Sequence, residues 1–111
     1  MSLAVVYTSA QLGVNAPLVS VETHISNGLP GFTIVGLPET AVKESKDRVR
    51  SALINSHFDF PQRRITVNLA PADLPKEGSR YDLALAIGIL ASSEQIPSEK
   101  HNQYEFLDEH P

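Results

Sequence analysis

The residues best suited to chemistry lie on and around the segment Ile65 to Tyr81, which reads ITVNLAPADLPKEGSRY. Ser79 stands three residues after Lys76. A serine and a lysine make a nucleophile–base pair when the two side chains come within hydrogen-bond reach. Asp73, Glu77 and Asp82 offer the carboxylates that a hard cation such as magnesium takes as ligands. Arg63 and Arg64, with Lys76 and Arg80, are the best basic cluster in the chain, and these are residue types that contact phosphate. Each set also has a plainer reading. Serine and aspartate ahead of a helix are capping residues, and an aspartate after Pro71-Ala72 is a turn former. Arginines mixed with acids belong on a solvated, salt-bridged surface.

Other chemistries lack the residues they need. No Gly-x-x-x-x-Gly-Lys-Ser/Thr sequence occurs, so the chain has no phosphate-binding loop of the usual ATPase kind, and its six glycines are too scattered for a dinucleotide fingerprint. His24, His57, His101 and His110 show no metal-ligand spacing and read as surface or strand-face histidines. There is no cysteine, hence no disulfide and no thiolate metal site, which fits a reducing compartment; the expected location is cytoplasmic. Met1 to Thr8 lacks the features of a signal peptide. The longest apolar run, Leu83 to Ala91, is about half of what a membrane span needs, so no membrane partner is expected.

The formal net charge is −4, but it is unevenly placed. Residues 39–81 hold eight of the nine basic residues against six acids, so this middle is +2 while the remainder is −6. A local basic face is compatible with that balance; a basic protein is not.

At 111 residues the chain suits one domain with an ordinary core. Leu3 to Ser9 reads as a strand, Gln11 to Asn15 as a turn, and Leu18 to Ile25 as a second strand completing a hairpin. In that second strand Leu18, Ser20, Glu22 and His24 face water, and Val19, Val21, Thr23 and Ile25 face the core. A third strand, Phe32 to Val35, lies between two Gly-Leu-Pro turns. Pro38 to His57 is an amphipathic helix with Pro38 at its first position and Glu44 one turn before Arg48. Its apolar stripe is Ala41, Val42, Ser45, Val49, Ala52, Leu53 and Ser56. Phe58 and Phe60 drop toward the core, and Ile65, Val67 and Leu69 mark a fourth strand. Leu83 to Ala91 is apolar all round and predicts a buried helix capped by Asp82, or by Ser79 with Asp82. Ser92 to His101 reads as a polar loop, and Tyr104 to Leu107 begins a last strand. The order β-β-β-α-β-α-(β) predicts an α+β fold with a mixed sheet and helices on one face.

Three strings carry a resemblance: VVYTSAQLGVNAPLVSVETHISNG (Val5 to Gly28), GLPGFTIVGLPETAVKESKDRVRSAL (Gly28 to Leu53) and FPQRRITVNLAPADLPKEGSRYDLALAIGIL (Phe60 to Leu90). Together they resemble the N-terminal domain of the ComM/YifB family of magnesium-chelatase-like AAA+ ATPases. The resemblance covers nearly the whole chain, leaving 108–111 as a truncation or added end. It implies a single domain over 1–111 similar to the proteolytic domain of Lon, with a left-handed βαβ crossover. In the full protein it implies an AAA+ module that follows and binds ATP and magnesium, whereas no cofactor is expected in this chain. It further implies a homo-hexameric helicase that assists DNA branch migration during natural transformation and recombination, so the expected partners are copies of itself and DNA.

Lon-type peptidases carry Pro-Lys-Asp-Gly-Pro-Ser-Ala-Gly with the serine as nucleophile. The matching stretch here is Pro75-Lys76-Glu77-Gly78-Ser79-Arg80-Tyr81-Asp82. The nucleophile position falls on Arg80, and Ser79 is one place off, a turn of about 100° at a helix start. The expectation is therefore a non-catalytic module, not an enzyme in itself, with Arg63, Arg64, Lys76 and Arg80 as DNA contacts. The alternative is a Lon-type serine–lysine peptidase using Ser79 and Lys76. The chelatase label is attributed to the ATPase module, and nothing in this sequence points to porphyrin binding or metal insertion.

Overall fold

The computed structural model describes residues 2–9, 18–71, 81–96 and 105–106. Its elements run β1 (Ser2–Ser9), β2 (Leu18–Ser26), β3 (Gly31–Val35), α1 (Glu39–Asn55), β4 (Arg64–Ala70), α2 (Asp82–Ser92) and β5 (Glu105–Phe106). The strands form one mixed sheet in the order β3-β4-β2-β1-β5. β1 and β2 are the antiparallel hairpin that their alternation predicts. β3 does not continue that hairpin. It pairs parallel to β4, while β4 pairs antiparallel to β2. A parallel pair needs a crossover, and α1 provides it, making β3–α1–β4 a βαβ unit. β5 adds a short parallel edge beside Tyr7 and Thr8 of β1. The predicted turn at Gln11 to Asn15 lies outside the described residues.

The core lies on one face of the sheet. Val19, Val21 and Ile25 of β2, Ile65, Val67 and Leu69 of β4, and Phe32 and Ile34 of β3 all point into it. A fully buried side chain of this size contributes about 1.5–3 kcal/mol relative to exposure. The alternate residues of the same strands form an open face, among them Leu3, Leu18, Glu22, Val35, Arg64 and Asn68.

Both helices cover the core face. α1 buries Ser45, Val49 and Leu53, one residue per turn. That stripe is narrower than predicted: Ala41 and Val42 are half-buried, and Ala52 and Ser56 are exposed. α2 packs on β1, β2 and α1. It buries Ala84, Leu85, Gly88, Ile89, Leu90, Ala91 and Ser92, but Leu83 stays 44% exposed. Full burial was expected from composition. A two-layer fold leaves the outer side of each helix without a covering element.

Helix ends differ from the expected caps. Pro38 is the N-cap, with ψ 142°, not the first helical residue. Tyr81 is the N-cap of α2, and Asp82 opens the first turn without capping it. Both helices end in Schellman turns. Phe58 N–H donates to Leu53 O at 2.9 Å and His57 N–H to Ile54 O at 3.0 Å; Gln95 N–H donates to Leu90 O at 2.9 Å and Glu94 N–H to Ala91 O at 3.1 Å. The left-handed positions are taken by His57 (φ 69°) and Glu94 (φ 65°), where glycine is usual. The Gln95 side chain links the two ends, accepting from Asp59 N–H at 2.9 Å and donating to Asp59 O at 2.8 Å.

Gly88 sets how closely α2 approaches the sheet. A Cβ there would collide with Thr23 Oγ1, which is buried and makes no hydrogen bond among the described residues. Gly88→Ala should cost about 1–3 kcal/mol of stability, the usual penalty for overpacking. Thr23→Ala in the same chain should recover part of that loss, read as a positive coupling in a double-mutant denaturation cycle. His57→Gly should act in the other direction. It removes about 1–2 kcal/mol of left-handed strain and loses about 0.5–1 kcal/mol to a freer unfolded chain. The net gain is about 0.5–1 kcal/mol, seen as a Tm higher by roughly 2–5 °C.

Candidate nucleic-acid interface

Arg63 and Arg64 stand at the mouth of β4, and the turn between β2 and β3 holds both. Arg63 precedes the strand; its Nη2 donates to Asn27 Oδ1 at 3.0 Å, and its carbonyl accepts from Gly31 N–H at 3.2 Å. Arg64 is the first residue of β4 and pairs with Ser26 on one side and Gly31 on the other. Its guanidinium lies over Gly28, with Nε 3.4 Å from where a Cβ would stand. Gly28 has φ 135°, a conformation open only to glycine, so the turn and the seat for Arg64 depend on the same residue. Strand alternation left open whether the two side chains point to opposite faces or lie in the loop. The turn gathers them instead at one end of the sheet.

A third arginine joins them. Arg50 projects from α1 toward the segment that returns to β4, with Cζ 4.7 Å from the centre of the Phe60 ring. Phe60 packs on Phe32 with centroids 5.6 Å apart, and Lys46 Nζ lies 5.9 Å from the Phe32 ring centre. Arg50 and Arg63 line one concavity of about 160 Å³, together with Pro30, Gly31, Phe60, Pro61 and Gln62. Arg50 lies outside the apolar stripe that the sequence marks on this helix, and nothing in the dipeptide Arg63-Arg64 points to it. The available signal was the Phe58-Asp59-Phe60-Pro61 break, which folds an aromatic back under the third turn of α1.

Partners separate these arginines from the rest. Arg48 is neutralised: its Nε donates to Asp82 Oδ2 at 2.6 Å, and Glu44 lies 3.8 Å away, the predicted one-turn pair. The hydrogen bond to Asp82 is the main reason its pKa is raised above the ordinary arginine value. Arg50, Arg63 and Arg64 make no ion pair among the described residues. A second concavity, about 360 Å³ on the open face, is lined by Val5, Tyr7, Ser20, Glu22, Asn68 and Ala70. It carries a carboxylate and no cation, so it does not extend the basic site.

The other chemistry-bearing residues divide in two. Asp82 serves as the ion-pair partner that ties α2 to α1, and it makes no side-chain cap hydrogen bond; the magnesium reading needs Asp73 and Glu77 as well. Asp73, Lys76, Glu77, Ser79 and Arg80 lie outside the described residues, so half of the predicted basic cluster and the whole serine–lysine pair do as well. His24 is half-buried on the open face, and His57 is exposed at the end of α1.

Residues 21–110 match the family model described as subunit ChlI of Mg-chelatase. The competence protein ComM of Haemophilus influenzae is 64% identical over 109 residues, which are 98% of this chain and 21% of that protein. The chain belongs to the magnesium-chelatase-related ComM/YifB family. An uncharacterized Escherichia coli protein, YifB, is 63% identical over 98% of this chain and 22% of its own length. An uncharacterized Mycobacterium bovis protein is 43% identical over 100 residues, 90% of this chain and 20% of its own. The chain thus spans about a fifth of the length of the curated relatives it matches. The ChlI model matches this segment itself, so the chelatase name is not confined to an ATPase module as expected.

The Arg48–Asp82 pair is partly exposed, with side chains 41% and 24% accessible, so its contribution is modest. Asp82→Asn should lower stability by about 0.5–1 kcal/mol in dilute buffer. The difference should shrink at high salt, where the pair is screened; thermal melts of both proteins at two ionic strengths check it.

Proposed function

We propose that this chain is a non-catalytic module of a ComM-type AAA+ ATPase, where it supports ring assembly and contacts DNA. Arg63 and Arg64 are the described contacts, and Lys76 and Arg80 are the further contacts proposed. The observation that carries this reading is the pair of guanidinium groups pinned on one turn with no carboxylate partner among the described residues. An arginine already paired, as Arg48 is, must surrender its carboxylate before it takes a phosphate. Among the described residues, Arg63 and Arg64 have no carboxylate to surrender.

The Haemophilus influenzae relative carries the name competence protein, which supports a role in handling incoming DNA. In the full protein the ATPase module would bind ATP and magnesium and drive branch migration, with six copies around the duplex. Modest positive charge on each copy suffices in such a ring, because phosphate contacts sum over linked subunits.

The test is Arg63→Glu with Arg64→Glu in the full-length protein. DNA affinity should fall, and the slope of log K against log salt should become shallower by about two contacts, each worth roughly 0.9. An unchanged slope removes the DNA contact and leaves assembly alone.

A further inference from the structure

We infer that the concavity between Arg50 and Arg63 is a phosphate-binding site, in which Arg50 is a ligand-contacting residue. This rests on the DNA-contact reading above and sharpens it from a charged surface to a defined seat.

Three observations converge. First, the space is the right kind. The concavity, about 160 Å³, has room for a tetrahedral oxyanion and part of its hydration. Its lining sets Pro30, Phe60 and Pro61 beside the guanidinium-bearing Arg50 and Arg63, so a bound phosphate meets charged donors next to apolar surface.

Second, both cations are held without being consumed. The Phe60 ring anchors Arg50, which makes no hydrogen bond and no ion pair among the described residues, so its N–H donors are open to a ligand. Arg63 spends an Nη2 donor on Asn27 and keeps the others. Holding the guanidinium groups in advance lowers the ordering cost of binding. Third, the nearby acids stay out of the way. Asp47 lies one turn before Arg50 on α1, and Asp59 precedes Phe60. Neither forms an ion pair among the described residues, and Asp59 is engaged through its backbone by Gln95.

A seat built on a ring-held guanidinium discriminates arginine from lysine. Lysine keeps the charge but has no planar fork to present two donors to one phosphate. A diffuse basic surface accepts either.

The experiment uses the full-length protein with three variants: Arg50→Gln, Arg50→Lys and, as control, Lys43→Gln on an exposed position of α1 outside the concavity. Both side chains, Arg50 and Lys43, are exposed in the wild type and none of the three substitutions brings in a helix breaker, so folding should persist. Arg50→Gln should weaken oligonucleotide binding about fivefold or more and shorten the salt slope by roughly one contact. Arg50→Lys should lose nearly as much, while Lys43→Gln should bind as wild type.

Inorganic phosphate separates the sources of the ligand. If phosphate raises the Tm of wild type but not of Arg50→Gln, the seat takes the free ion as well as a backbone phosphate. If only oligonucleotide binding depends on Arg50, the seat is one for the phosphodiester. If Arg50→Lys binds like wild type, or Arg50→Gln changes neither response, the seat is overturned. Should that happen while the Arg63→Glu, Arg64→Glu protein still loses DNA affinity, the broader reading survives without it. Loss of both effects ends both.

Discussion

Strand β4 is the constraint on which the rest of this structure depends. It is hydrogen-bonded on both sides, parallel to β3 and antiparallel to β2, and its inward residues Ile65, Val67 and Leu69 are all but inaccessible to water. A slip of one residue would carry those three to the open face and bring Arg64 and Thr66 into the core. Burying an unpaired guanidinium is far costlier than any local gain, so the register is strongly determined. That register also places Arg64 level with Gly31 and Ser26, and Arg63 just outside the sheet. The basic end of the molecule is thus a consequence of how the core is packed.

The second organising feature is the sorting of charge by partner. Arg48 and Asp82 close the seam between the helices, and Glu44 adds to it. On another side of α1, two residues after Arg48, Arg50 joins Arg63 and Arg64, and all three are held by contacts that cost no charge: an aromatic face, an amide oxygen and a glycine turn. Net charge is a poor guide to such a surface. The negative balance comes from outside residues 39–81, where seven acids face one lysine, and interactions beyond about 10 Å are mostly screened at ordinary salt. What a polyanion meets is the local set of unneutralised donors.

Much of the scaffold was legible because its signals are local. The alternation of Val19, Val21, Thr23 and Ile25 against Ser20, Glu22 and His24 reads directly as a two-faced strand, and the i, i+4 spacing of Ser45, Val49 and Leu53 as a helix stripe. What periodicity does not carry is neighbour order. Nothing in the run Phe32 to Val35 says that it skips the hairpin and joins β4, because that pairing is decided by the crossover through α1. The exposure of Leu83 was missed for a related reason. Composition reports how apolar a helix is, whereas the number of layers decides how much of it is covered. At the basic site, Arg63 and Arg64 were visible as a dipeptide, but Arg50 belongs with them only because the chain reverses after Asn55 and brings Phe60 beneath it.

His57 and Glu94 show the same limit from the side of the backbone. Neither residue type announces a helix end, yet both occupy the left-handed position of a Schellman turn. The turns persist because other interactions hold them: Phe58 packs against the core as the chain leaves α1, and Gln95 bridges from the end of α2 to Asp59. Asp59 is followed directly by Phe60, the ring beneath Arg50. The end of α2, the end of α1 and the floor of the basic concavity are therefore linked through three consecutive residues. A disturbance at Gln95 would reach Arg50 through the backbone without touching any charge, which separates the positioning of the site from its electrostatics.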